Sequence, residues 1–227
     1  EYWQQTMDAP FNVPLFSWYY EYTGDREFLR KRAYPFIREC GDFYEDYLEK
    51  ETLDSTYRYN ILTGGHEGSW DLNPPSDLAF VEQTFRLLLR YSEILGVDEN
   101  RRALWKDIVT HLPSYKVIMP TKTPNQGLPV YATNEAGWDL PAHVIQLHPV
   151  YPCELLNLHS DSTALQLARN TLYYYAVDQQ GFTETMNELG LSAFVMGTRI
   201  GFDPDILIDK MKTLIHRAGT NFLILDG

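Results

Sequence analysis

Cysteine is nearly absent from this chain of 227 residues, which has only Cys40 and Cys153. Two thiols form no disulfide framework, so an apolar core has to hold the fold, and they assign no redox compartment. Basic residues are scarce as well. Nineteen Lys and Arg face 31 Asp and Glu, for a net charge of -12. Phosphate affinity needs clustered cations, which excludes a nucleic-acid binder. Long hydrophobic runs are missing too. Phe222-Leu223-Ile224-Leu225 is typical of the longest, far short of the roughly 20 apolar residues of a membrane helix. The six histidines show no ligand spacing that would build a metal site. An initiator Met is also lacking, and the last residues follow directly on an apolar run. Natural termini tend to be polar and frayed, so the ends read as those of a piece of a longer chain, in which a signal peptide would lie out of view.

Aromatic residues are what the chain has in excess: sixteen Tyr, eleven Phe and five Trp, or 14%. Flat rings serve packing in cores, and they also stack on the C–H faces of sugars. The hydrophobic share, 44%, is enough for a sizeable core and argues against disorder.

Most of the chain reads as helix. Leu15, Phe16, Trp18, Tyr19 and Tyr22 carry a first helix that Gly24 stops. Asp25 caps a second, Pro35 predicts a break or kink near Tyr34, and helix resumes through Ile37, Cys40, Tyr44 and Leu48. Ser76 or Asp77 is the expected start of a helix reaching Leu95, with Gly96 as its stop. Asp98 is expected to cap the next, which runs to Leu112 before Pro113. Further helices are expected from Asp161 or Ser162, over Glu184 to Met196, and from Asp203-Pro204 through Leu214. Two stretches differ. Tyr57 to Pro75 is a non-helical insert, and Pro113 to Ser160 is irregular and holds seven of the thirteen prolines. No repeat or low-complexity run divides the chain, so residues 1–227 read as part of one all-α domain.

Function concentrates on such loops. In Gly64-Gly65-His66-Glu67-Gly68-Ser69-Trp70-Asp71, three glycines free the backbone around Glu67, and Pro74-Pro75 closes the loop. A carboxyl held there beside Trp70 is a candidate general acid, or else caps its own loop. His66, Trp70 and Asn73 flank it as candidate substrate contacts. His66-Glu67 does not begin the zinc motif H-E-x-x-H, because Trp70 takes the last position. Neither a phosphate loop nor a G-x-S-x-G elbow is present. The second stretch offers Trp138, the acids Glu135 and Asp139, His143 and His148 as a sugar-binding lining, with loop packing as the alternative. Asp226, delivered to a glycine turn by an apolar segment, is the second candidate carboxylate. Glycosidases work with two such groups on opposite sides of the scissile bond.

The order of these motifs resembles the catalytic domain of glycoside hydrolase family 95, in a divergent branch. The resemblance rests on Tyr2-Trp3, Tyr22-Thr23-Gly24-Asp25 with Tyr34-Pro35, Glu67 where the family has Ser-Pro-Glu, Leu95-Gly96-Val97-Asp98, His143 with Tyr151-Pro152, and Asp226-Gly227. It departs in His-Glu-Gly-Ser-Trp around Glu67 and in Gln146, where a second histidine is expected. It implies an (α/α)6 toroid, here incomplete, and an inverting α-L-fucosidase-like hydrolase without a cofactor. Glu67 would be the acid, and Asp226 would stand behind an asparagine pair expected upstream of Glu1. The piece alone would then be inactive. Export to a periplasm or the cell exterior, and a carbohydrate as the binding partner, are implied in the same way. The competing readings are a rhamnosidase-like or α-glucosidase-like (α/α)6 enzyme, a non-catalytic glycan-binding helical domain, and a helical interaction scaffold without sugar affinity.

Overall fold

The computed structural model describes residues 5–64, 70–120, 127–137, 144–178 and 188–217. Most of these are helical, and the strands are short and paired in twos. The chain forms two compact units, Glu1–Tyr115 and Lys116–Gly227.

In the first unit, a 3-10 turn at Pro10–Asn12 leads into α1, Val13–Thr23. Gly24 ends α1 at φ 67°, a left-handed turn that glycine enters without steric cost. Asp25 then caps α2, Arg26–Phe28, by accepting the Glu27 and Phe28 amides at 3.0 Å each. At Pro35 the helix is distorted locally and does not break. A π-turn over Leu29–Ala33 joins α2 to α3, Tyr34–Tyr47, with the Tyr34 amide bonded to the Leu29 carbonyl. Proline has no N–H and its ring collides with the carbonyl four residues back; one widened turn absorbs both defects and lets the helix continue.

The three-and-four spacing of α3 buries Tyr34, Ile37, Cys40, Gly41 and Tyr44 against α4, Pro75–Leu95. Helix α4 is the spine of this unit, and its Leu78, Val81, Phe85, Leu88 and Tyr91 are wholly or almost wholly buried. It begins at Pro75, not at a Ser76 or Asp77 cap: Pro74 is the N-cap, and it offers no side-chain bond. Pro75 supplies the preset φ of a first helical position. Gly96, at φ 69°, ends it.

Asp98 does not cap the helix after it either. Its carboxylate accepts the Tyr34 hydroxyl at 2.7 Å and lies 3.4 Å from Arg38 Nε, so it ties the turn after α4 to α3 instead. Helix α5, Arg102–Thr110, follows a 3-10 turn at Glu99–Arg101 and stops short of Leu112. It buries Trp105 and Ile108, and the indole N–H donates to Glu45 Oε1 at 2.6 Å.

The non-helical insert, with Glu49–Thr52 before it, contributes to two antiparallel ribbons. β1, Glu49–Thr52, pairs with β2, Tyr57–Asn60, and β3, Leu62–Thr63, pairs with β4, Asp71–Leu72. Sequence reading missed β1, because Glu49-Lys50-Glu51-Thr52 has no apolar face and is fully exposed.

In the second unit, β5, Val117–Ile118, pairs with β6, Val130–Tyr131. A 3-10 turn at Ile145–Leu147 precedes α6, Ser162–Leu172, which a π-turn over Tyr173–Asp178 extends. Asp161 caps α6 as expected, accepting the Thr163 and Ala164 amides at 2.8 and 3.3 Å. Helix α7 is Glu188–Arg199 and α8 is Pro204–Arg217, with the Asp205 and Ile206 amides on the Asp203 carboxylate. Leu165, Ala168, Leu172, Met196 and Leu207 form the core of this unit. Among the described residues, no helix is long and apolar enough to cross a membrane.

Candidate functional site

Glu67 and His66 lie outside the described residues, as do Trp138, Asp139, His143 and Asp226. What the structure defines is the base on which the connection carrying Glu67 is mounted. Residues 64–70 join β3 to β4, and the closing pair of that ribbon is Thr63 opposite Asp71. Trp70, at the described end of the connection, is 52% exposed, which leaves its ring free of the core.

Asn73 is nearly buried, and its bonds run to the framework. At φ 51° it sits in the left-handed region that asparagine tolerates. Its amide donates to the Ile61 carbonyl at 2.9 Å, its Oδ1 accepts the Ile61 amide at 2.9 Å, and its Nδ2 donates to Asn60 Oδ1 at 2.9 Å. The side chain imitates a strand neighbour and locks the chain leaving β4 onto the chain entering β3. Tyr47 adds a hydroxyl bond of 2.6 Å to the Leu62 carbonyl.

Beneath this ribbon is a buried polar cluster that sequence reading missed. Thr6, Thr63, Asp71, Ser76 and Asp77 are all buried. Asp77 Oδ1 accepts the Thr6 hydroxyl at 2.5 Å, and Oδ2 accepts the Ser76 hydroxyl at 2.9 Å. Thr63 bonds the same carboxyl, and its Oγ1 lies 3.1 Å from Thr6 Oγ1. Burial pushes the Asp77 carboxyl above the ordinary carboxylate range, and the Asp71 charge pushes the same way against the three hydroxyls. The available signal was Asp77 itself: an acid two residues beyond a Pro-Pro pair falls inside the first helical turn, too late to be the cap.

In the second unit, the turn Asn134–Gly137 is closed by the Gly137 amide on the Asn134 carbonyl at 3.1 Å. Gln146 is fully buried, and its amide group has no hydrogen-bond partner among the described residues. His148 is buried nearby in sequence, and desolvation lowers its pKa to about 4. Tyr151 lies beneath the Arg199 guanidinium, 5.1 Å from ring centroid to Cζ, and Arg199 also pairs with Glu154 at 2.8 Å. Among the described residues, no group of three or more His, Cys, Asp or Glu side chains converges as a metal site.

Residues 2–193 match the glycosyl hydrolase family 95 catalytic domain. The chain belongs to this family. The match spans the Glu67 connection, the buried cluster and the histidine-bearing stretch. Among curated proteins, "Alpha-L-fucosidase 2" of Arabidopsis thaliana is 34% identical over 86 residues, which are 34% of this chain and 10% of that protein. The stretch in common is thus a small part of the relative's length.

Proposed function

We propose that the full-length protein is a glycoside hydrolase that removes a terminal sugar from an oligo- or polysaccharide, with α-L-fucosides as the first substrates to test. The family match over residues 2–193 carries this reading, and the likeness to a plant α-L-fucosidase supports the sugar class. Glu67 is the general acid: its carboxyl proton passes to the glycosidic oxygen as the bond to the anomeric carbon breaks. A water attacks that carbon from the opposite face, and its proton leaves toward Asp226, which backs an asparagine pair expected upstream of Glu1. The anomeric configuration inverts. Trp70 supplies an exposed ring for stacking, and Trp138, His143 and His66 complete the sugar contacts. The scaffold is an (α/α)6 toroid of which this chain is a part, and the protein acts outside the cytoplasm.

Glu67→Gln in the full-length protein keeps the shape and removes the proton. Turnover of a natural oligosaccharide is expected to fall roughly 100- to 10,000-fold, with product anomer followed by NMR. Unchanged turnover removes Glu67 from the acid role, and a retained configuration overturns the inverting mechanism. A second reading, a related hydrolase for a different sugar, is favoured by Gln146, which stands where the family resemblance expects a histidine. A screen of aryl glycosides separates the two.

A further inference from the structure

A cleft of about 510 Å³ opens in the second unit, between residues 150–159 and the last turn of α7, where Arg199 stands. Its size falls in the roughly 300–1,000 Å³ range of small-molecule sites, and its described lining includes none of the residues proposed for catalysis. Backbone bonds fix the segment that forms it. The Leu155 and Leu156 amides donate to the Pro149 carbonyl at 2.8 and 2.9 Å. The Asn157 amide donates to Ser160 Oγ at 3.0 Å, and Asn157 Oδ1 accepts the His159 amide at 2.9 Å. The Asn157 Nδ2 and the His159 ring have no hydrogen-bond partner among the described residues. Glu154 stands at φ 58°, a conformation uncommon outside glycine, and its Oε1 lies 2.8 Å from Arg199 Nη1. Val150, Leu156 and Leu158 supply apolar walls, and Leu158 is 58% exposed.

We propose that this cleft binds a neutral saccharide, a part of the glycan other than the sugar that is removed. That the saccharide belongs to the substrate rests on the glycoside-hydrolase reading. The arrangement of charge selects a neutral ligand. The Arg199 guanidinium already faces a carboxylate, so an anion is repelled by Glu154 and a cation by Arg199, and either has to break the pair to bind. A hydroxyl both donates and accepts. One sugar hydroxyl can therefore give its hydrogen to Glu154 while a neighbour receives one from Asn157 Nδ2 or the His159 ring, with the ion pair intact. The C–H face of a sugar needs apolar surface, which Leu156 and Leu158 provide. Apolar walls with a few convergent polar groups are the make-up of a small-molecule site.

Glu154 and His159 are exposed, so Glu154→Gln and His159→Ala leave the fold in place. Binding is read by hydroxyl-radical footprinting of full-length Glu67→Gln titrated with a fucosylated oligosaccharide, which is expected to protect Leu158 and His159. Adding Glu154→Gln is expected to raise the concentration for half-protection of Leu158 roughly tenfold, as loss of a charge-assisted bond does, and adding His159→Ala to raise it about fivefold. With Glu67 intact, either change is expected to lower kcat/KM on the oligosaccharide by a similar factor, while kcat/KM on 4-nitrophenyl α-L-fucoside, a single sugar, stays within about twofold of wild type. If the wild-type protein cleaves both substrates but neither side chain gains protection, or if the variants lower both substrates equally, the site is overturned and the hydrolase reading stands. Protection by inorganic sulfate in place of the sugar would make the cleft an anion site and also overturn the proposal. If the wild-type protein cleaves no fucoside and the oligosaccharide still protects Leu158 and His159, the hydrolase reading falls and the saccharide site stands.

Discussion

His148 and Asp77 are both buried titratable groups, and burial moves them in opposite directions. His148 has its pKa lowered to about 4 by desolvation. The unfolded chain then binds more protons than the folded one between about pH 6.5 and about pH 4, so stability is present above that window and is lost as pH falls through it. At about 1.4 kcal/mol per pKa unit, the loss for the second unit between pH 7 and pH 4.5 is about 2–3 kcal/mol. His148→Gln is expected to flatten this acid limb in urea titrations at the two pH values; an unchanged slope would contradict it. Asp77 has its pKa raised by burial. The folded state then holds the proton more tightly than the unfolded one, and its contribution is fully present below the unfolded carboxylate value and declines as pH rises through the raised one. Asp77→Asn removes that decline, so stability measured from pH 4 upward is expected to fall less steeply in the variant than in wild type.

At the scale of elements, the contact between α3 and α4 rests on a glycine. A Cβ at Gly41 would lie 2.4 Å from Leu88 Cδ1, and Leu88 is fully buried in the core of α4. Gly41→Ala gains close to 1 kcal/mol of helix propensity and incurs about 1–3 kcal/mol of overpacking. Net destabilisation of up to about 2 kcal/mol is expected by chemical denaturation, and a stabilised variant would show that Leu88 has room to move aside. Capping chemistry was legible at this scale wherever the acid had no stronger partner. Asp25, Asp161 and Asp203 cap the helices their positions announced. Asp98 did not, because Tyr34 and Arg38 arrive from another helix and take its carboxylate. Pro35 distorted its helix without ending it, because one widened turn accommodates the ring and the missing N–H.

For the whole molecule, the two units have their own cores. Leu29, Ile37, Phe80, Phe85, Leu88 and Trp105 all belong to the first. Residues 1–115 expressed alone are therefore expected to unfold cooperatively in urea, with circular dichroism and Trp fluorescence giving one coincident transition. A gradual, probe-dependent loss of signal would show that this core needs the rest of the chain. Catalysis makes a wider demand. The proposed mechanism draws on an asparagine pair expected upstream of Glu1, so its activity is to be measured on the full-length protein.

Sequence alone determined the helical character of the chain, most helix ends and the placing of Glu67 on a glycine-rich connection between regular elements. These follow from periodicity, capping and the conformational freedom of glycine, all of which act within a few residues. The tertiary structure decided the rest. Nothing in the sequence brings Thr6 to Thr63 and Asp77, or shows that the Asn73 side chain bonds to its own ribbon. A buried carboxyl is stabilised by donors that chain topology delivers from far along the sequence, and spacing along the chain carries no record of them.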